Sequence, residues 1–450
     1  MGAGHMASSF LGHLSNNDHL QVMRHPAQQH NVNVIESLIR RLRQCRTFDQ
    51  YDDVQRELFQ HLHCREQHRS DCRRCAARLQ RGRSLPALLP QLPLGVDPLD
   101  PETWRIEDLV FDRVCRQLRA VGDALAWRAS GYDRRYVIAL SSNASPGVMA
   151  GKTGLPAELG AATELRKRGS FALLHDLTNC LRIGDITEFK SDGSKLLYEI
   201  KSSPTAKKGP QRRRMEAAVE AVMTGGELPG RPGQRIVSPT QRCGTHIRAF
   251  VTGIDEAVRR GIAGAAISDA RALTAFSFPT LAQTRSNDSA RQLLDDFHAE
   301  RQSAIERAGI ANVLHHVTVA SATRNHDFVP SVMPFALFPL PPIQAALLIC
   351  DYIGFSITVA PERIADHFER LGFTADIPLV TANDSLVATD TIINVRRGSR
   401  GIRLHPGALY ELLIECLDLG SWATAIAEVV DDSDAPPHPV LAFLTTRVWR

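Results

Sequence analysis

The sequence predicts an α/β fold: a mixed β-sheet flanked by helices, with a helical N-terminal module before it and an α/β C-terminal domain after it. Three observations carry that expectation. Residues 31–82 place apolar side chains at helical spacing, Val34, Leu38, Ile39 and Leu42 in one stripe and Val54, Leu58 and Leu62 in another. Residues 182–201 read as two short strands around the turn former Ser191-Asp192-Gly193-Ser194. Beyond about residue 225, helical and strand-like segments alternate.

Gly and Pro punctuation divides the chain. Residues 1–9, Met1-Gly2-Ala3-Gly4-His5-Met6-Ala7-Ser8-Ser9, read as a cloning remnant. Residues 10–100 form the helical module and end in a Pro-rich linker at 84–101. Within the module, His61-Leu62-His63-Cys64 and Cys72-Arg73-Arg74-Cys75 give His-x2-Cys before Cys-x2-Cys, the paired spacing from which tetrahedral zinc sites are built. His61, Cys64, Cys72 and Cys75 would make a structural Zn²⁺ site filled by protein. His63, His68 and Cys45 stand close enough to substitute, and a basic helical hairpin with buried thiols and no metal competes with both arrangements.

The second segment, 101–235, opens with a helix at about 106–125 and an apolar strand at 135–140. The stretch 146–153 has Pro146 where a phosphate-binding loop needs glycine, which excludes that reading and leaves a flexible approach to the next helix. That helix, 154–169, has Pro156 in its first turn and Gly169 as its stop. Phe171-Ala172-Leu173-Leu174 reads as a strand with His175-Asp176 at its end.

The hairpin brings chemistry together. Asp185 stands at the start of its first strand, while alternation on the second sends Glu199 and Lys201 to one face and Tyr198 and Ile200 to the other. Two hard carboxylates suit Mg²⁺ or Mn²⁺. Asp185, Glu199 and the Ile200 carbonyl are the expected metal ligands, with Lys201 orienting or deprotonating the attacking water and steadying the pentavalent charge.

This arrangement resembles the PD-(D/E)XK nuclease superfamily over about 60 residues: a helix with Glu, then a hairpin carrying Asp and Glu-x-Lys. Gly184 stands where that pattern often has Pro. The resemblance implies a nuclease core in residues 101–235, a Mg²⁺-dependent endonuclease activity, and a glutamate from the preceding helix. Glu158 lies among the apolar stripe of Leu155, Leu159, Ala162 and Leu165, so it is preferred to Glu164. The resemblance also implies a role for Gln211 on the following helix, 209–223, whose basic first turn, with Lys207, Lys208, Arg212, Arg213 and Arg214, would meet phosphates. DNA is expected in preference to RNA. Restriction or antiviral defence is the implied setting, with a homodimer or an activating partner protein. The competing expectation is a catalytically silent nucleic-acid-binding or scaffold protein.

After a second Gly/Pro linker at 225–233, residues 236–450 read as a recognition, regulatory or assembly domain. Helices are expected at 254–262 and 290–308, strands at 272–278 and 313–319, and an irregular crossing at 329–342. The helices at 343–352 and 360–371, joined by Gly354-Phe355-Ser356-Ile357-Thr358, loosely suggest a helix-turn-helix, but the joining segment is strand-like and long for that motif, so an ordinary α/β pairing within the C-terminal domain is the preferred reading.

The formal charge of +4 is too small to argue nucleic-acid binding from composition, so the case rests on local Arg clusters. The nine cysteines are odd in number and scattered, which argues against a disulfide scaffold. No apolar run is long enough to span a bilayer and no signal peptide is evident, so no membrane partner and a cytoplasmic location are expected.

Overall fold

The computed structural model describes residues 16–142, 147–201, 210–268, 270–286, 288–311, 317–320, 330–377, 392–432, 441–445 and 447–448. Helices α1 (Asn16–Arg24), α2 (Pro26–Gln44) and α3 (Phe48–Gln80) open it. Thr47 starts α3 with a capping box closed by Gln50, and no Gly or Pro interrupts the helix before Gly82. The chain then runs without regular structure to Asp100, whose carboxylate caps α4 (Pro101–Ala129) by accepting from the Glu102 amide at 2.9 Å.

Helix α4 is the axis of the molecule. It is buried along most of its length, and four of its buried charged residues each bind a different part of the chain. Glu107 accepts from His25 and meets His68. Arg113 donates to Asp351, and Arg119 pairs with Glu66 and donates to the Asp176 carbonyl. Asp123 accepts from the amides of Asn179 and Cys180 at 2.7 and 2.8 Å. A buried charge is tolerated only when paired, so each contact also dictates where its partner segment must lie.

Helices α5 (Arg134–Leu140) and α6 (Leu155–Lys167) lead into an antiparallel sheet of β1 (Phe171–Leu174), β2 (Ile186–Phe189) and β3 (Lys195–Tyr198), in that order. The sheet's β1 edge is closed by Gln55 of α3, which donates to the Ala172 carbonyl at 2.8 Å and accepts from the Leu174 amide at 3.0 Å. The expected strand at 135–140 is α5 instead. A short, wholly buried apolar run has no polar face to reveal its period, and Arg134 anchors it by pairing with Glu411 and Glu415.

Helix α7 (Pro210–Thr224) follows, and the expected linker at 225–233 turns out to enter a hairpin, β4 (Glu227–Leu228) and β5 (Arg231–Val237), with Gly230 and Gly233 at φ +71° and +72°. β5 lies inside a six-stranded mixed sheet ordered β11-β12-β13-β14-β5-β4, whose other strands come from β11 (Thr374–Asp376), β12 (Ile393–Arg397), β13 (Arg400–Leu404) and β14 (Leu441–Leu444). A mixed sheet with flanking helices is therefore present, but the sheet carrying the Asp185 hairpin is three-stranded and antiparallel.

Between them, after β6 (Arg242–Cys243), α8 (Ile247–Arg260), the short α9 (Phe278–Thr284) and α10 (Ala290–Arg307) pack on an antiparallel sheet ordered β7-β8-β10-β9, with β7 (Ile262–Ser268), β8 (Arg271–Ser277), β9 (Val317–Ala320) and β10 (Ile353–Val359). β10 excludes the helix-turn-helix alternative and agrees with the α/β pairing: the segment between Pro342–Ile349 and Pro361–Arg370 is a fully buried strand paired on both sides, so those helices are not joined by a turn. One continuous buried cluster runs from Val22 through α4 and the hairpin sheet to Leu444. The N-terminal helices share that core. Arg43 donates to the carbonyls of Ala336, Phe338 and Leu340, tying α2 to the far third of the chain.

Candidate active site

The hairpin register pairs Ile186 with Tyr198, and continuing it by one residue sets Asp185 opposite Glu199. The Asp185 amide donates to the Tyr198 carbonyl at 2.8 Å, and Asp185 Oδ2 accepts from the Ile200 amide at 2.7 Å. That hydrogen bond aims the carboxylate at the second strand. It is the Ile200 amide that meets Asp185. Gly184 holds φ +80°, where proline cannot go, and a Cβ there would lie 2.7 Å from Leu197 Cδ1. Glycine at this position is thus required by the way the strand is approached, which accounts for the departure from Pro.

Glu158 is buried in the first turn of α6, with Glu164 exposed on the opposite side and paired to Lys167. Lys152 Nζ bridges Glu158 Oε1 and Asp176 Oδ2, both at 2.7 Å. The segment delivering Lys152 is pinned from below: Glu66 Oε2 accepts from the amides of Met149 and Ala150 at 2.7 and 3.1 Å. Arg119 donates to the Gly147 carbonyl at 2.8 Å, and a Cβ on Gly147 would sit 2.4 Å from Asp176 Oδ1. The His175 amide donates to the Asp185 carbonyl, placing Asp176 beside the hairpin.

Neighbouring carboxylates act on Glu158 and on Asp185. Burial raises the Glu158 pKa; Lys152 opposes this and the charges of Asp185 and Asp176 add to it. Burial likewise raises Asp185, against the Ile200 amide and Lys152 and with Asp176 and Glu199. Burial works against the charge on Lys152, but its bonds to Asp176 and Glu158 outweigh this and hold it firmly protonated. Behind the site, His175 Nε2 meets Thr187 Oγ1 at 2.7 Å, and complete burial lowers its pKa to about 3, so it is a neutral packing group.

Glu199 and Lys201 leave the hairpin together, their side chains in contact, with Lys201 more exposed. Gln211 is half-buried at the start of α7; Arg212, Arg213 and Arg214 are exposed, and Arg212 pairs with Glu216. Lys207 and Lys208 lie outside the described residues. Arg clusters in the N-terminal helices are largely spent on protein: Arg69 and Arg73 bind Asp108, and Arg41 binds Glu57.

The structure thus brings Glu158, Asp185 and Glu199 to one region and adds Asp176 and Lys152, which in the sequence alone read as a polar strand end and a flexible approach. The signal for Asp176 is its place two residues beyond the end of an apolar strand, close before the hairpin in the sequence. Hard oxygen donors that repel one another and already hold one ammonium group fit a divalent cation of the Mg²⁺ or Mn²⁺ type, with Asp185 and Glu199 as the groups to hold it. These oxygens are not gathered as tightly as a formed metal site: among the described residues, the trio of such ligand atoms lying mutually within 4.8 Å is His68, Cys72 and Glu107.

The expected zinc residues do not converge. His61, Cys64, Cys72 and Cys75 all lie on the uninterrupted α3, and His61 and Cys75 are about 21 Å apart along its axis at 1.5 Å per residue. Comparison with family models, curated proteins and solved structures finds no match. No helix among the described residues is long and apolar enough to cross a membrane.

Proposed function

We propose that this chain is a metal-dependent nuclease of the PD-(D/E)XK type that hydrolyses phosphodiester bonds, with DNA as the expected substrate. The observation that carries the reading is the convergence of Glu158, Asp176 and Asp185, from three separate elements, around Lys152, with Glu199 and Lys201 at the hairpin exit. A Mg²⁺ or Mn²⁺ ion at Asp185 and Glu199 would supply Lewis acidity and a nucleophilic water. The Ile200 amide keeps Asp185 oriented. Lys201, exposed beside Glu199, presents an ammonium group that orients water and offsets charge developing on the phosphate. Arg213 and Arg214 on α7 offer contacts to the nucleic-acid backbone without reading sequence.

The rival, a silent binding or scaffold protein, draws on the Lys152 bridge, which already neutralises two of the carboxylates. Labelled double-stranded DNA, single-stranded DNA and RNA incubated with Mg²⁺, Mn²⁺ or EDTA separate the two. Metal-dependent cutting that drops about 10²–10³-fold in Lys201→Ala while binding persists is the expected result. Binding without cutting in wild type, across all substrates and metals, favours the scaffold.

A further inference from the structure

The trio set apart by its tight geometry lies away from the hairpin, where α3 crosses α4. His68 and Cys72 are four residues apart and so share one face of α3. Glu107 faces them from α4. Cys72 is fully buried, Glu107 is 3% exposed, and His68 retains a narrow opening to solvent at 18% of its side chain.

His25 orders the group. Its Nδ1 accepts from the Ala27 amide at 3.1 Å as the cap of α2, so its Nε2 carries the proton and donates to Glu107 Oε1 at 2.9 Å. That bond fixes the carboxylate and leaves Oε2 turned toward His68 Nε2, 3.3 Å away. A separation of 3.3 Å is long for a charge-assisted hydrogen bond, but it is about the edge of a tetrahedron whose centre lies ~2.05 Å from a nitrogen and an oxygen ligand. Phe111 packs against the His68 ring at 4.0 Å between centroids, and Trp104 closes the Cys72 side.

We propose that His68 Nε2, Cys72 Sγ and Glu107 Oε2 bind one Zn²⁺ ion, with His25 holding the carboxylate from behind and solvent supplying the fourth position. Imidazole, thiolate and carboxylate together match zinc and do not match Mg²⁺ or Ca²⁺, which take oxygen ligands. Binding replaces the Cys72 thiol proton with zinc and releases that proton to buffer, so affinity rises with pH. The ion clips α3 to α4, the two helices that carry Glu66 and Arg119 beneath the Lys152 segment.

The experiment uses the full chain, freed of metal by a chelator and titrated with Co²⁺ as a spectroscopic substitute, then with Zn²⁺ in competition. Wild type and Cys64→Ser, which removes the exposed thiol, should each take up one equivalent of Co²⁺ with a thiolate-to-cobalt charge-transfer band, displaced by Zn²⁺. Cys72→Ala and His68→Gln should lose the band. His68→Gln changes a part-exposed residue, and circular dichroism without metal checks that it folds. His25→Ala should keep the band with affinity reduced about 10–100-fold. Absence of a thiolate band in folded wild type, or a band that survives both Cys72→Ala and His68→Gln, overturns the proposal. Cobalt held by the hairpin carboxylates gives no thiolate band, so this outcome is independent of whether the chain cuts nucleic acid.

Discussion

Asp185 is a residue on which stability and the proposed chemistry conflict. Burial and the charges of Asp176 and Glu199 hold its pKa above the ordinary value, so folding favours the protonated form. Its contribution to stability is complete below the unfolded pKa of about 3.9 and is lost as pH rises through the folded value. Asp185→Asn keeps an acceptor for the Ile200 amide and removes the charge. It should therefore raise Tm at neutral pH, with the gain over wild type fading below about pH 4, and should abolish cleavage. A lower Tm for the variant at pH 7 contradicts this account. Lys152 tests the same cluster from the other side. Lys152→Met leaves Glu158 and Asp176 without their cation and should lower Tm; Mn²⁺ should restore more of that loss than it adds to wild type. Thermal scans with and without Mn²⁺ measure both, and an equal response in the two proteins counts against a divalent cation among these carboxylates.

Among the elements, α4 decides where the site lies. Gly122 allows the 175–177 turn to rest directly on the helix, since a Cβ there would fall 1.8 Å from the Leu177 carbonyl oxygen. Gly122→Ala must push that turn, and Asp176 with it, away from the hairpin. A loss of about 1–3 kcal/mol in urea unfolding is expected, with cleavage reduced although no proposed catalytic group is altered. Unchanged stability excludes the close contact. The sequence showed α4, α6 and the hairpin because each carries its own signal: a proline in the first turn, an apolar stripe, a turn with Gly193. It misled at 135–140, where a short apolar run is buried and its neighbours decide between helix and strand, whereas the strand-like character of Gly354-Phe355-Ser356-Ile357-Thr358 is matched by the paired strand found there. In α3, 33 residues without Gly or Pro after a capping box make one helix, on which His-x2-Cys and Cys-x2-Cys cannot fold back to a common point.

At the scale of the molecule, the shared core argues that residues 10–100 are not an independent module. A fragment of 101–450 uncovers the face of α4 that α2 and α3 bury, and should be insoluble or lack a cooperative unfolding transition. A soluble fragment with a sharp transition separates the N-terminal helices from the core after all. Arg43 gives a milder test of the same coupling. Arg43→Ala strips three carbonyls of their donor and should cost about 1–3 kcal/mol, and Arg43→Lys should recover little, because a single ammonium group cannot reproduce the planar fork. Chemical unfolding of the full chain checks both variants.

By itself the sequence determined the hairpin with its Asp185 and Glu-x-Lys, the Glu158 helix before it and the basic helix after it, because strand alternation, turn chemistry and helix punctuation act within a few residues of one another. Only the tertiary structure decided that Asp176 and Lys152 join that group, that Glu107 and His25 meet His68 and Cys72, and that residues 234–237 pair with β14 near the C-terminus. Those pairings link residues far apart in the chain through buried charges and backbone hydrogen bonds, and a buried charge leaves no local pattern to say which distant residue will neutralise it.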